Sequence, residues 1–291
     1  MGNFEIAYFF VASSVLIFAL HILAVVKDIS SLTVKYILSA VVFLIISSVF
    51  LFLSLRIEGF SIQIAIHTFT VGVMINAILG VQTAWIPMIY MQPLGKTKAG
   101  KFIINNLFYI HQFVVLGIIF SFFIRDYKFL AGFALFEFAV IFLFLKFIFY
   151  DSIKPQIKLH GIPYTVKYFI TGHVFLLIGL VVAHIIGVAG LFTLIPYHID
   201  FMVYGFGLFT IIGGMLHLTP RIIFSMKQNK KGVPLSRNKF ENLYKLIITS
   251  YIIFIGFDLY GITLYAAIIF ILSVLTLFVL SLVDFIKLYR A

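Results

Sequence analysis

Residues 67–87 read HTFTVGVMINAILGVQTAWIP, and residues 198–221 read HIDFMVYGFGLFTIIGGMLHLTPR. Each is an apolar stretch of membrane length that starts at a histidine and passes through two glycines to a proline. The first carries His67, Gly72, Gly80 and Pro87; the second carries His198, Gly205, Gly213 and Pro220, followed by Arg221. The glycine-to-glycine step of eight residues and the glycine-to-proline step of seven recur unchanged, 133 residues apart. Only the histidine shifts: it lies five residues before the first glycine in one copy and seven in the other. A histidine near the start of a buried helix, followed by glycines that let a flat macrocycle or another helix come close, is what an intramembrane heme site needs.

The two copies belong to a longer repeat. VKYILSAVVFL from residue 34 aligns with VKYFITGHVFL from residue 166 at an offset of 132, and YDSIK from 150 aligns with VDFIK from 283 at 133. The chain therefore divides into an N-terminal helix (1–33), a first four-helix repeat (34–155) and a second (156–291). Four helices is an even number, so both copies enter the membrane in the same direction, unlike the inverted repeats of many carriers.

With 63% hydrophobic and 11% charged residues, the fold class is an all-α integral membrane protein, because a bilayer span takes roughly 20 apolar residues. Nine spans are expected, near 4–26, 34–55, 62–92, 101–124, 129–150, 166–191, 197–220, 240–257 and 260–284. The first follows a few uncharged residues and reads as a retained helix rather than a cleaved signal. The net charge of +11 reflects topology and not nucleic-acid binding. With the N-terminus outside, 18 of the 21 Lys and Arg fall on the inner side, leaving Arg56, Arg125 and Lys128 outside. That places a multi-pass chain in the cell membrane with a cytoplasmic C-terminus. The longest loop, about 222–239, is inner and basic. The absence of cysteine excludes disulfides, iron–sulfur ligation and thiolate metal sites within this sequence.

The second motif resembles a helix of the heme-copper oxidase catalytic subunit, particularly the nitric-oxide-reductase and cbb3-type branch, and of NnrS-type heme and copper membrane proteins. In those families a helix running from outside to inside carries His-x-His, then Gly, Gly and Pro-Arg, with one histidine on each of two hemes. His198, Gly205, Gly213, Pro220 and Arg221 match that frame, with Asp200 at the second histidine position. In the first copy His67 takes the second histidine position and Ala65 the first. A further resemblance, in size and in Ile, Phe, Tyr and Lys bias without cysteine, is to the hydrophobic subunit of archaeal b-type cytochrome complexes. These resemblances imply heme b, one or two per chain, with copper as a lesser expectation.

Histidines inside spans are costly and mark function. For an outer heme the duplicated His67 and His198 are the first candidates, with His184 or His111 as substitutes. For an inner site His173 pairs with His217 or His21. His173 and His184 share one span eleven residues apart, which is three turns and about 16 Å along a helix axis. Gly72 and Gly205 are the expected points of close approach. The alternative for any one histidine is a simple hydrogen bond to a neighbouring helix. Glu137, in LFEFAV, reads as a proton or quinone residue or as a carboxyl satisfied by a nearby Asn or Tyr. Asp200 is placed to orient a ligand's second nitrogen or to lie in water at the outer edge. Arg221 suits lipid phosphate, and Asn76, Gln82, Asn105, Asn106 and Gln112 suit bonds between helices. No phosphate-cradling loop or nucleophile triad is present.

The expected function is electron transfer through b-type heme in a respiratory chain, with a membrane quinone and an outer redox subunit or cytochrome as partners. The alternatives are an NnrS-like heme or copper protein, a histidine-lined transporter without cofactor, and a membrane anchor for a redox partner.

Overall fold

The computed structural model describes residues 2–26, 29–95, 98–153, 161–226, 237–258 and 263–290. Among them there is no strand. The helices, in chain order, are α1 (Gly2–Val25), α2 (Leu32–Arg56), α3 (Ile62–His67, Thr68–Ile75 and Asn76–Tyr90), α4 (Lys98–Ile124), α5 (Tyr127–Phe144, Leu145–Tyr150 and Asp151–Ile153), α6 (Tyr164–Ala189), α7 (Ile195–Asp200, Phe201–Leu208 and Phe209–Met226), α8 (Arg237–Asp258) and α9 (Thr263–Arg290). Eight of these, α2 to α9, are long and apolar enough to cross a bilayer; in α1 the apolar stretch is the shorter Ser13–Ala24. Most of the expected inner loop, 227–236, lies outside the described residues, and α7 runs on to Met226.

The helices are bounded by local signals. Ser61 opens α3 by accepting from the backbone N–H of Gln63, and the Asp126 carboxylate opens α5 by accepting from the N–H groups of Lys128 and Phe129, both at 3.0 Å. Arg125, at φ 56°, makes the reversal between α4 and α5, and its guanidinium reaches the Gly59 carbonyl at 2.7 Å. Large side chains face outward along the helices: Phe113 is 65% exposed and Ile211 62%. Bulky exposed hydrocarbon along whole helices is what lipid covers.

α3 and α7 share an irregularity. Each contains an eight-residue π-helical segment, Thr68–Ile75 and Phe201–Leu208, placed 133 residues apart and enclosing Gly72 and Gly205. A π segment widens the helix and is retained mostly at functional places.

The chain falls into two compact units, one of 1–159 with 180–194 and the other of 160–179 with 195–291. In the first, α2 packs on α3 and α4 on α5. In the second, Tyr168, Phe209, Ile247, Tyr251 and Phe270 build an aromatic and aliphatic core. Lys167 pairs with Glu241, Lys239 with Asp284 at 2.7 Å, and the Thr171 and Tyr244 hydroxyls meet at 2.7 Å.

Candidate functional site

The two glycine frames are filled by neighbouring helices. A Cβ on Gly72 would stand 2.6 Å from the Phe43 ring, and one on Gly205 would stand 2.6 Å from Phe175 Cβ. Gly80 meets Tyr36 and Gly213 meets Phe169 and Tyr168, each near 2.9 Å by the same measure. Phe43 and Phe175, like Tyr36 and Tyr168, are partners in the aligned VKY segments. The close approach at Gly72 and Gly205 is thus that of another helix, the second of the two roles the sequence allowed, and Phe43 and Phe175 occupy the space a macrocycle would take against these glycines.

The histidines show a common arrangement. Nδ1 of His67 lies 2.9 Å from the Gln63 carbonyl oxygen, and Nδ1 of His173 lies 2.9 Å from that of Phe169, each within its own helix. Nδ1 of His184 lies 2.9 Å from the Ala131 carbonyl on α5, and Nδ1 of His198 lies 2.9 Å from the Gly179 carbonyl on α6. A carbonyl oxygen only accepts, so the proton sits on Nδ1 and the lone pair on Nε2 in all four. That is the tautomer and the anchoring of a metal-ligating imidazole.

His67 and His198 are nevertheless not twins. Two residues of shift turn a side chain by about 200° around a helix. The His67 ring accordingly lies on Phe122 of α4, with centroids 4.2 Å apart, whereas His198 reaches α6. The Gly179 carbonyl holds His198 Nδ1, and the Asp200 backbone carbonyl accepts from the Tyr251 hydroxyl at 2.9 Å.

His111 stands apart. It is fully buried on α4, and its Nδ1 lies 3.0 Å from Glu137 Oε2 and 2.9 Å from Oε1 on α5. Glu137, also fully buried, thus finds a histidine where the sequence suggested an Asn or a Tyr. Beside this pair, Gln112 donates to Asn76 Oδ1 at 2.7 Å and Asn76 donates to the Gly72 carbonyl at 2.8 Å. Neither the pairing of His111 nor the π segments left a signal in composition; the 26-residue separation across one helical hairpin is the sole trace of the former.

His217 is buried on α7 one turn before Arg221, and His21 is exposed on α1. His160 lies outside the described residues. Among the described residues no group of three or more His, Asp or Glu is gathered to hold a metal ion.

No protein-family model and no solved structure matches the chain. An uncharacterized protein of Aquifex aeolicus (strain VF5) is 38% identical over 238 residues, covering 80% of this chain and 60% of that protein. The chain thus spans about 60% of the length of the relative it matches.

Proposed function

We propose that this chain is a b-type heme protein of the cell membrane that carries electrons between a membrane quinone and a redox subunit on the outer side. One observation carries the reading: four histidines in apolar helices, His67, His173, His184 and His198, each fix Nδ1 on a backbone carbonyl, the tautomer in which Nε2 is the ligand atom. These four are the axial candidates. His111, committed to a carboxylate, is left out of the set, and Gly72 and Gly205 serve the helix packing behind it.

Bound heme supplies a one-electron centre. The chain's own work is to hold the imidazoles in one tautomer, to keep water from them with Phe-rich helices, and to set the iron's potential by burial. The likeness of the second motif to the heme-copper oxidase and NnrS frame favours the same reading.

The architecture proposed with it is two parallel four-helix repeats behind one N-terminal helix, with the N-terminus outside. It is supported by the matching π segments, by the Gly–Phe and Gly–Tyr contacts at equivalent positions, and by the distribution of Lys and Arg.

The test is a reduced-minus-oxidised optical spectrum of the purified full chain with iron and copper quantified, repeated for His→Ala at each of the four positions. A b-type band with about one or two irons per chain, diminished by these substitutions, is the expected result. Folded protein from heme-sufficient cells with neither heme nor metal overturns the reading.

A further inference from the structure

At a set of paired interior positions the two halves carry different side-chain chemistry. Tyr36 meets Phe108 edge-on with centroids 5.0 Å apart, and Tyr168 meets Tyr244 edge-on at the same 5.0 Å. Tyr36 and Tyr168 are sequence equivalents; matching their edge-on partners Phe108 and Tyr244 sets α4 on α8 at an offset of 136, and on that register His111 falls at Ile247 and Gln112 at Ile248. The 133 offset of α3 on α7 and of α5 on α9 pairs Asn76 with Phe209, Gln82 with Met215 and Glu137 with Phe270. Phe209, Ile247 and Phe270 belong to the apolar core of the second unit, and Met215 and Ile248 adjoin it. In the first unit the polar counterparts are just as deeply buried: Asn76, His111 and Glu137 are 0% exposed and Gln82 1%.

Apolar side chains therefore close this frame in one half, and the frame does not need the ionisable pair. Desolvating two ionisable groups inside a bilayer costs more than apolar packing does, so a pair kept there has work other than stability.

We infer that the first half contains an intramembrane proton-binding site, His111 Nε2, with the Glu137 carboxylate as its counter-charge. With Glu137 ionised, the hydrogen bond between them is donated by Nδ1–H of His111, which leaves the lone pair on Nε2. Nε2 is buried and has no hydrogen-bond partner among the described residues. With Glu137 ionised, a hydronium ion gives its proton to Nε2 and is left as water; the new N–H bond turns a singly negative pair into a neutral one, release to water reverses the step, and no electron moves.

The titratable group facing the pair from α2 is Tyr36, its ring 6.0 Å from that of His111. Other ionisable groups on the surrounding helices are engaged elsewhere: Lys35 with the Tyr109 hydroxyl, Lys146 with Asp151, Arg125 with Gly59, His184 with Ala131, and His67 against Phe122. The inference does not depend on bound heme.

The test uses the full chain in lipid vesicles, with histidine isotopically labelled at the ring nitrogens and followed by magnetic resonance across pH. The reference variant, His111→Ile with Glu137→Phe, carries the side chains of the second half and is expected to fold with an unchanged melting transition. A signal absent from that variant should pass from the Nδ1–H neutral tautomer to imidazolium as pH falls in the wild type. In Glu137→Gln it should remain neutral, since the added proton would then lack a counter-charge. A wild-type signal fixed in one state throughout overturns the inference, as does a Glu137→Gln signal that titrates like the wild type. Failure of the double variant to fold assigns the pair to structure and overturns it as well.

Discussion

The carbonyl oxygen of Ala131 on α5 accepts the Nδ1–H of His184 on α6 at 2.9 Å, and one turn along α6 the small Gly187 lets the same two helices touch at Ala131. The hydrogen bond both joins two helices and fixes the tautomer of the imidazole. His184→Ala is expected to lower stability by about 1 kcal/mol, the scale of a side-chain hydrogen bond between membrane helices. On the heme reading it also reduces heme per chain. Thermal unfolding and heme extraction on the same preparation separate the two effects.

Gly72 and Phe43 form a tight steric pair. Gly72→Ala brings a Cβ to 2.6 Å from the ring and is expected to destabilise the chain by roughly 1–3 kcal/mol through overpacking. Phe43→Leu in the same molecule should restore part of that loss. Gly205→Ala with Phe175→Leu should behave alike, and a double-mutant cycle in each half measures the coupling.

Removing one member of the buried His111–Glu137 pair differs from removing both. His111→Ile alone leaves the Glu137 carboxyl in an apolar interior, with an expected cost of about 3 kcal/mol or more if it stays charged. Adding Glu137→Phe should restore the wild-type melting transition. Equal melting temperatures for the single and double variants would contradict this.

Asn76 joins α3 to α4 through Gln112 while capping the Gly72 carbonyl inside the π segment. A double-mutant cycle with Asn76→Leu and Gln112→Leu is expected to give a coupling energy of about 0.6 to 1.7 kcal/mol. A coupling near zero would mean that the two amides act independently.

A chain without native cysteine suits single-cysteine labelling. With the N-terminus outside, Glu58→Cys between α2 and α3 should react with a membrane-impermeant maleimide on intact cells. Gln92→Cys, between α3 and α4, should react only after the membrane is opened. The reverse pattern would invert the orientation.

The apolar runs carried the helices into view: the span expected at 62–92 is Ile62–Tyr90, and the one expected at 260–284 is Ala267–Lys287, within the helix Thr263–Arg290. Length and hydropathy fix such segments because lipid thickness does. The direction in which a side chain points around a helix was less legible. His67 and His198 look equivalent in an alignment of glycines, yet a two-residue shift sends one to Phe122 and the other to Gly179. The pairing of Glu137 was hidden for the same reason: in an interior that is apolar on every side, hydropathy gives no azimuth, so the partner of a lone carboxyl cannot be chosen. A π segment leaves no compositional mark at all, since it changes the winding and not the residues.

On the duplicated plan proposed above, the matching π segments of α3 and α7 date themselves. A widened turn arises when one residue is inserted into a finished helix, and two such insertions at the same point in separate copies would be a coincidence. The insertion therefore belonged to the single ancestral half, before copying. The histidines and the polar lining, which differ between the copies, changed afterwards on a winding both had inherited.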